Sequence, residues 1–161
     1  MKSTRSRQAL LFAILVAAAP AVARDAIGVY GGWGAFADAA PRRCFAIAQP
    51  VVASSPLAFA SIADWPRRNI RGQLHVRLSD RRARQGRVTL SIGERRFELV
   101  AGDTDAWAPD ARTDAAIVAA MRVGRSMSVE ALATTGRPFA DTYALTGAAT
   151  AIDAAALACR G

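Results

Sequence analysis

The sequence predicts a mainly β domain, a β-sandwich or half-barrel of about seven strands with one or two covering helices, one of them C-terminal. Three observations lead to this fold class. Apolar and polar residues alternate through the middle of the chain, short turns with glycine or proline separate the alternating segments, and an alanine-rich helical segment closes the chain. Because one face of the alternating segments is polar, we expect a sheet that packs on one side only.

The first 23 residues have the pattern of a secretory signal peptide and are left out of fold reasoning. Three cations precede an uncharged apolar run of eleven residues, Ala9–Ala19, and the tripeptide AVA at 21–23 matches a cleavage signal. A spanning helix needs about 20 apolar residues, so the run is too short for an anchor. We expect cleavage after Ala23, which leaves residues 24–161 as a single domain in the periplasm or outside the cell, without a transmembrane span.

The mature chain is basic and uses only arginine for positive charge. Three of the 21 lysine and arginine residues lie in the leader, so 18 cations face 13 acids and the net charge is +5. The planar guanidinium suits carboxylate and phosphate partners, although a charge of this size also simply keeps a domain in solution. Since the arginines are scattered and the protein is expected to be exported, nucleic acid is excluded as a partner.

The clearest strand is QLHVRLS, residues 73–79, in which apolar and polar residues alternate. Leu74, Val76 and Leu78 share one face, and His75 and Arg77 lie on the other. Three less regular strands are predicted before it, at Ile27–Tyr30, Cys44–Ala48 and Ala58–Ala63.

A β-hairpin is predicted over residues 87–100, with its turn at 93–94. Glycine at the first turn position fits a type II′ turn. This register pairs Leu90 with Phe97 and Val88 with Leu99, so apolar side chains meet along the ladder. A second hairpin joins residues 127–134 to 139–145, and the segments 79–86 and 105–112 are predicted as polar loops.

Two helices are predicted in the second half of the chain. One begins near Thr113 or Asp114, which can cap it, and ends at Gly124. The other follows Gly147 and ends at Cys159. Its buried stripe is predicted from the helical spacing as Ala149, Ile152, Ala156 and Cys159.

The chain has two cysteines, Cys44 and Cys159, and therefore one intramolecular pairing. An exported protein meets an oxidising compartment, so we expect a disulfide that ties an early strand to the last helix. Two buried free thiols are the alternative. A C-x-x-C motif is absent, and two cysteines with one histidine at no close spacing make a poor metal ligand set, so no metal site and no cofactor are expected.

The candidate binding residues are Arg81, Arg82 and Arg84 in the polar loop, near Arg67, Arg68 and Arg71 in sequence. Together they could bind an anionic surface, and a merely solvated loop is the alternative. His75 is the single histidine and is expected to be a solvated strand residue. No nucleophile motif accompanies it, so no catalytic residue is assigned and the protein is not expected to be an enzyme.

Several segments together have a familiar layout: the leader, the Trp33 to Cys44 region, the strands LHVRLS and VTLSIG, and the ending SMSVEALATTGRPFADTYALTGAATAIDAAALAC. In that ending, a hairpin strand passes through Leu145-Thr146-Gly147 into an alanine-rich helix. This layout resembles the invasion-associated locus B family of exported bacterial proteins. The resemblance implies a periplasmic or secreted β-rich domain, linked in some pathogens to host-cell invasion, with no established catalytic residues to carry over.

These observations lead to a functional hypothesis: an exported, non-enzymatic module that binds another envelope protein or an anionic envelope component. One alternative is a cell-envelope hydrolase that uses His75 with a serine and an aspartate. Another is a purely structural or chaperone-like envelope protein.

Overall fold

The computed structural model describes residues 24–54 and 57–160, so the predicted leader lies outside the described residues. Ten strands form one antiparallel sheet in the order β1-β2-β3-β4-β5-β8-β7-β6-β9-β10, and two helices cover its inner face. The strands are β1 Arg24–Tyr30, β2 Trp33–Ala39, β3 Arg42–Ala48, β4 Phe59–Trp65, β5 Ile70–Arg77, β6 Val88–Ile92, β7 Arg95–Ala101, β8 Asp105–Trp107, β9 Ser126–Leu132 and β10 Pro138–Ala144. The helices are α1 Ala111–Val123 and α2 Ala148–Ala158, and a 3-10 turn spans Pro66–Arg68.

The mainly β fold with a C-terminal helix is confirmed, and the sheet is one continuous layer. Two strands are additions to the prediction. β2 contains a glycine and four alanines or aspartates among its seven residues, which are weak strand formers, so its alternation carries little signal. The loop prediction for 105–112 is wrong at Asp105–Trp107, because β8 has only three residues and exists through its pairing with β5 and β7.

Both predicted hairpins are confirmed. β6 and β7 pair Val88 with Leu99 and Leu90 with Phe97, in the expected register. Gly93 has φ +57° at the first turn position, as a type II′ turn requires. In the second hairpin, β9 and β10 pair from Leu132–Pro138 to Ser126–Ala144.

The core lies between the inner face of the sheet and the two helices. Leu74, Val76 and Leu90 are fully buried there, as the alternation predicts, and Ile117 of α1 and Ile152 of α2 cover them. Each such aliphatic side chain contributes about 1.5–3 kcal/mol by leaving water. The helices also bind one another, since Arg122 of α1 donates to both carboxylate oxygens of Asp153 of α2, at 2.6 and 3.0 Å.

The sheet curls until its last strand reaches the strands at its beginning. The indole N–H of Trp33 in β2 donates to the carbonyl oxygen of Ala144 in β10 at 2.8 Å. The N–H of Val51, after β3, donates to the carbonyl oxygen of Thr142 at 2.8 Å. This curvature gives the half-barrel of the prediction.

The helix ends follow the predicted signals with small shifts. Asp110 caps α1, because its carboxylate accepts the N–H of Thr113 at 2.7 Å, so the helix begins two to three residues before the expected start. In α2 the buried residues are Ala148, Ala151, Ile152 and Ala155, so the buried face is rotated from the predicted stripe. Alanine occurs on every side of this helix and does not mark one face.

Candidate functional site

Arg82 of the predicted loop binds the chain's own backbone. Its guanidinium donates at 2.6–3.0 Å to the carbonyl oxygens of Ala83, Arg84, Gly86, Ala101 and Gly102. Five carbonyl oxygens occupy the donors that an anion would need. The geometry therefore gives Arg82 a structural role in this loop.

The other two loop arginines face solvent. Arg81 forms an ion pair with Asp103, N to O 2.8 Å, and this hydrogen bond holds the pKa of Asp103 below its ordinary value. Arg84 is exposed. The anion-binding hypothesis for Arg81, Arg82 and Arg84 stays a prediction, and in this geometry it rests on Arg81 and Arg84.

The structure separates two arginine groups that are near in sequence. Residues 67, 68 and 71 lie at the start of β5, and residues 81, 82 and 84 follow its end. A strand of eight residues at about 3.3 Å each is roughly 26 Å long, so the two groups lie at opposite ends of β5. They cannot form a single small site.

Arginine and aromatic side chains alternate across the outer face of β1, β3 and β4. The guanidinium carbon of Arg43 lies 4.3 Å from the ring centre of Phe45 and 5.1 Å from that of Trp65. Arg24 covers Phe45 at 5.2 Å, and Arg68 covers Trp65 at 5.3 Å. We call these five residues the arginine–aromatic cluster. Such contacts hold each guanidinium flat against a ring and fix its position.

One buried carboxylate balances part of the cluster's charge. Asp38, whose side chain is 9% exposed, accepts hydrogen bonds at 2.7 Å from both Arg24 and Arg43. The hydrogen bond from Arg24, with a further contribution from Arg43, lowers the pKa of Asp38. Three arginines and one aspartate leave a net charge of +2 at this corner of the sheet.

Sequence reasoning did not single out the arginine–aromatic cluster. A usable signal was present in β3, where Arg43 and Phe45 alternate with Cys44 and therefore share the outer face. The contribution of Trp65 could not be read in the same way, because a register shift between Ala63 and Trp65 interrupts the pairing of β4 with β5.

His75 lies on the outer face, as predicted, and it has an aspartate partner. Its Nε2 is 2.8 Å from Oδ1 of Asp105, its ring stacks on Trp107 at 5.3 Å, and Phe59 meets it edge-on at 5.1 Å. Burial raises the pKa of Asp105, but the hydrogen bonds from His75 and Thr104 oppose it and the net shift is downward. The histidine is thus held by three neighbours on the sheet surface.

The nearest paired serine is Ser61, which faces His75 across β4 and β5. Its hydroxyl donates to the backbone carbonyl oxygen of His75 at 3.4 Å and not to the imidazole. Over residues 24–54 and 57–160, no three histidine, cysteine or carboxylate side chains are grouped to hold a metal ion. In the same described part of the chain, no helix is long and apolar enough to cross a membrane.

Cys44 and Cys159 are joined in the disulfide that the sequence predicts, with their Cα atoms 5.8 Å apart. Cys44 is buried in β3, and Cys159 caps the end of α2. The bond connects positions 115 residues apart in the sequence. It fastens the last helix to the sheet beside the arginine–aromatic cluster, since Arg43 is the neighbour of Cys44.

Comparison with known proteins gives a match in structure and none in sequence. A scan against known protein families finds no match, and a search of curated proteins finds no similar sequence. Among solved structures, the chain is similar to the crystal structure of invasion associated protein B from Bartonella henselae, with a TM-score of 0.60 and 16% identity. The similarity covers 83% of this chain and 98% of that one. At this identity it shows that the two proteins share a fold.

Proposed function

We propose that this chain is an exported, non-enzymatic envelope protein of the invasion-associated locus B type that binds an anionic component of the envelope. The observation that carries this proposal is the arginine–aromatic cluster. Its guanidinium groups are held in fixed positions on the sheet surface, and they outnumber the carboxylate that pairs with them. Fixed guanidinium groups lose little conformational entropy on binding an anion.

Two observations support export. The first 23 residues have the signal-peptide pattern, and Cys44 and Cys159 form a disulfide, a bond that persists in oxidising compartments. The full chain, expressed in a Gram-negative host, is expected in the periplasmic fraction with Arg24 as its first residue. A protein found in the cytoplasm with its leader attached would contradict this part of the proposal.

The similar structure belongs to a protein named for invasion. For this chain, a role in contact with host cells would rest on a shared fold alone, and folds host many functions. The binding proposal stands on the cluster and does not require such a role.

The binding test uses vesicles of phosphatidylcholine with and without phosphatidylglycerol, co-sedimented with the mature protein. We expect retention on the anionic vesicles only, with a marked loss as salt rises, because exposed charges are screened within about 8 Å at physiological ionic strength. Equal retention on both kinds of vesicle would overturn anionic recognition.

Two variants of equal charge locate the binding face. Arg67→Gln with Arg68→Gln removes one arginine of the cluster and its neighbour on the same 3-10 turn, and Arg81→Gln with Arg84→Gln neutralises the exposed loop residues. We expect the first pair to lower retention several-fold and the second to leave it near the wild-type value. The reverse result would move the site to the loop, as the sequence-based hypothesis has it.

A hydrolase is the second candidate, and the contact between His75 and Asp105 is the observation that favours it. Its test is ester hydrolysis by the purified protein, compared with His75→Ala. Activity that disappears in the variant would support the hydrolase and would count against a non-enzymatic module.

A further inference from the structure

A cleft lies between the turn after β4 and the last turn of α2, on the inner side of the arginine–aromatic cluster. Its volume is about 270 Å³, and the residues that line it include Pro66, Asn69, Arg71, Ala156, Cys159 and Arg160. This is near the lower end of ligand-site volumes, which run from about 300 to 1,000 Å³. The cleft is therefore large enough for a small headgroup and too small for a whole sugar chain or lipid.

Two arginines line this cleft without a partner of their own. Among the described residues, the guanidinium group of neither Arg71 nor Arg160 forms a hydrogen bond or a close ion pair, whereas those of Arg24, Arg43 and Arg81 each bind a carboxylate. The charge of Arg160 acts at longer range on Asp153, where it helps to lower the pKa of that carboxyl. Arg67 and Arg68 lie on the adjoining 3-10 turn and form no ion pair with a described carboxylate either. Four arginines without a close carboxylate partner thus lie at or beside this cleft.

Two features of the cleft oppose an anion, and both are partly compensated. Asp64 lines it, but its carboxylate already accepts the N–H of Gly72 at 2.6 Å. The carboxyl end of α2 brings about half a negative charge, and Arg42 donates to the carbonyl oxygen of Ala158 there at 3.2 Å. Four arginines against one aspartate and the helix end still leave the region positive.

The walls of the cleft are held in place from both sides. On one side the turn is closed by a hydrogen bond from the N–H of Asn69 to the carbonyl oxygen of Pro66, at 3.1 Å, with Asn69 in the left-handed region at φ +52°. On the other side the disulfide anchors Cys159 to β3. A site built between two anchored walls binds without having to order them first.

We propose that this cleft binds a phosphate group, with Arg71 and Arg160 as its main ligands. This inference rests on the proposed function and names the chemistry that the envelope component would present. A carboxylate has two oxygens and is satisfied by one guanidinium fork. A phosphate monoester offers three terminal oxygens and up to two charges, so it can engage two guanidinium groups at once.

The experiment titrates the mature, disulfide-bonded protein with inorganic phosphate and with glycerol 1-phosphate, at constant ionic strength, and follows backbone amide shifts by NMR. Acetate is the carboxylate control. We expect saturating shifts at Asn69, Arg71 and Cys159 with both phosphate probes and weaker ones with acetate. A wild-type protein without localised shifts at these residues would overturn the site.

The variant Arg71→Gln with Arg160→Gln tests the assignment of the ligands. Its matched control, Arg84→Gln with Arg112→Gln, removes the same charge from exposed residues outside the cleft. We expect the cleft variant to bind phosphate at least about tenfold more weakly and the control to stay within about twofold, because guanidinium–phosphate bonds are short-range and directional. Equal affinity in the two variants would refute the role of the cleft. Because all four arginines are surface residues, thermal unfolding should show both variants folded.

Vesicles distinguish the source of the phosphate and keep the two proposals separable. If glycerol 1-phosphate displaces the protein from vesicles that contain phosphatidic acid, whose headgroup is a phosphate monoester, the cleft recognises a lipid headgroup. Binding of the soluble probe without displacement assigns the cleft to a phosphorylated glycan or solute. Vesicle retention that survives in the cleft variant, with phosphate binding also unchanged, sinks the cleft and leaves the proposed function standing. If the wild-type protein binds phosphate in the cleft but is not retained on anionic vesicles, the cleft assignment stands and the proposed function is contradicted.

Discussion

At the scale of single residues, the buried aspartates of the described chain each have a hydrogen-bond partner. Asp114 of α1 accepts the N–H of Leu74 at 2.8 Å, and Asp141 of β10 accepts the N–H of Ser79 at 2.9 Å. The pairing of β8 with β5 covers only residues 75–77, so the N–H of Leu74 has no strand partner on that side. A buried N–H without an acceptor is costly, which explains a carboxylate in the core.

The contributions of the buried residues Asp38 and Asp114 to folding stability change with pH in opposite directions. Burial raises the pKa of Asp114, whereas the hydrogen bond from Arg24 lowers the pKa of Asp38. The contribution of Asp38 to folding is therefore present above the unfolded carboxyl pKa, about 3.9, and is lost as the pH falls through its lower folded value. That of Asp114 is present at low pH and is lost as the pH rises.

Asp38→Asn tests this linkage. We expect the variant to lose about 1–3 kcal/mol of unfolding free energy at neutral pH, because two arginines lose their charged acceptor. The difference from wild type should begin to shrink as the pH falls below about 4, where the Asp38 carboxyl of the unfolded chain binds a proton, and should vanish once the pH is below the lowered pKa of folded Asp38. Urea unfolding at a series of pH values measures it.

Asp103→Asn is the matched control, since Asp103 also binds one arginine but lies at the surface. Its effect should be smaller and sensitive to salt. A wild type and an Asp38→Asn protein that differ by the same amount at every pH would show that the Asp38 carboxylate charge contributes nothing.

At the scale of elements, the loop between β5 and β6 is organised by one arginine. The guanidinium of Arg82 binds carbonyl oxygens of its own loop and of the chain at the end of β7. The backbone N–H of Arg82 donates to the carbonyl oxygen of Asp103 at 3.0 Å. The sequence shows only a run of arginines and cannot distinguish the inward one from its neighbours. Which arginine of the run turns inward depends on the position of the carbonyl oxygens of residues 101 and 102 in the folded chain.

Arg82→Gln is expected to destabilise the protein by about 2–3 kcal/mol, because the part-buried carbonyl oxygens of Ala83, Gly86 and Ala101 lose a charged donor. Arg84→Gln removes the same charge from an exposed position and should leave the stability nearly unchanged. Chemical unfolding gives the two free energies, and amide exchange at Gly86 and Gly102 should accelerate in the Arg82 variant only. If the two variants have the same free energy of unfolding, the contacts of Arg82 with the carbonyl oxygens do not contribute to stability.

The predicted strands and hairpins depended on local alternation, and they were found where that alternation is regular. In residues 74–78, from β5 onward, and in β6 every second residue is a large aliphatic side chain, so the sequence records both the strand and its buried face. β8 has three residues and α2 has alanine on all sides, so neither records which face is buried.

At the scale of the whole molecule, two long-range connections close the half-barrel. The disulfide fastens α2 to β3, and the turn at Gly31 packs against the turn at Gly147. Both glycines have positive φ, +58° and +84°, and a Cβ on Gly147 would collide with the backbone of Tyr30. The beginning and the end of the described chain are thus in contact at two places.

Removal of the disulfide is expected to lower the unfolding free energy by about 4–5 kcal/mol in the chain-entropy model for a loop of this length, with smaller values if the reduced chain keeps structure. Cys44→Ala with Cys159→Ala, compared with wild type in denaturant, measures the loss, and reduction of the wild type should reproduce it. A thiol titration of denatured, unreduced protein purified from the periplasm should find no free thiol. Two titratable thiols would remove both the disulfide and the argument for an oxidising compartment.

The sequence by itself determined the mainly β class, the central strands with their buried faces, the register of the first hairpin, the existence of the second hairpin and the two helices, because each depends on residues that are close in the chain. The tertiary structure alone decided which arginines are structural, which gather around one cleft, and which aromatic rings they cover. Those relations join residues up to 116 positions apart, as in the hydrogen bond from Arg42 to the carbonyl oxygen of Ala158, and local periodicity carries no information on such distances. Pairing between distant strands is a property of the folded chain as a whole.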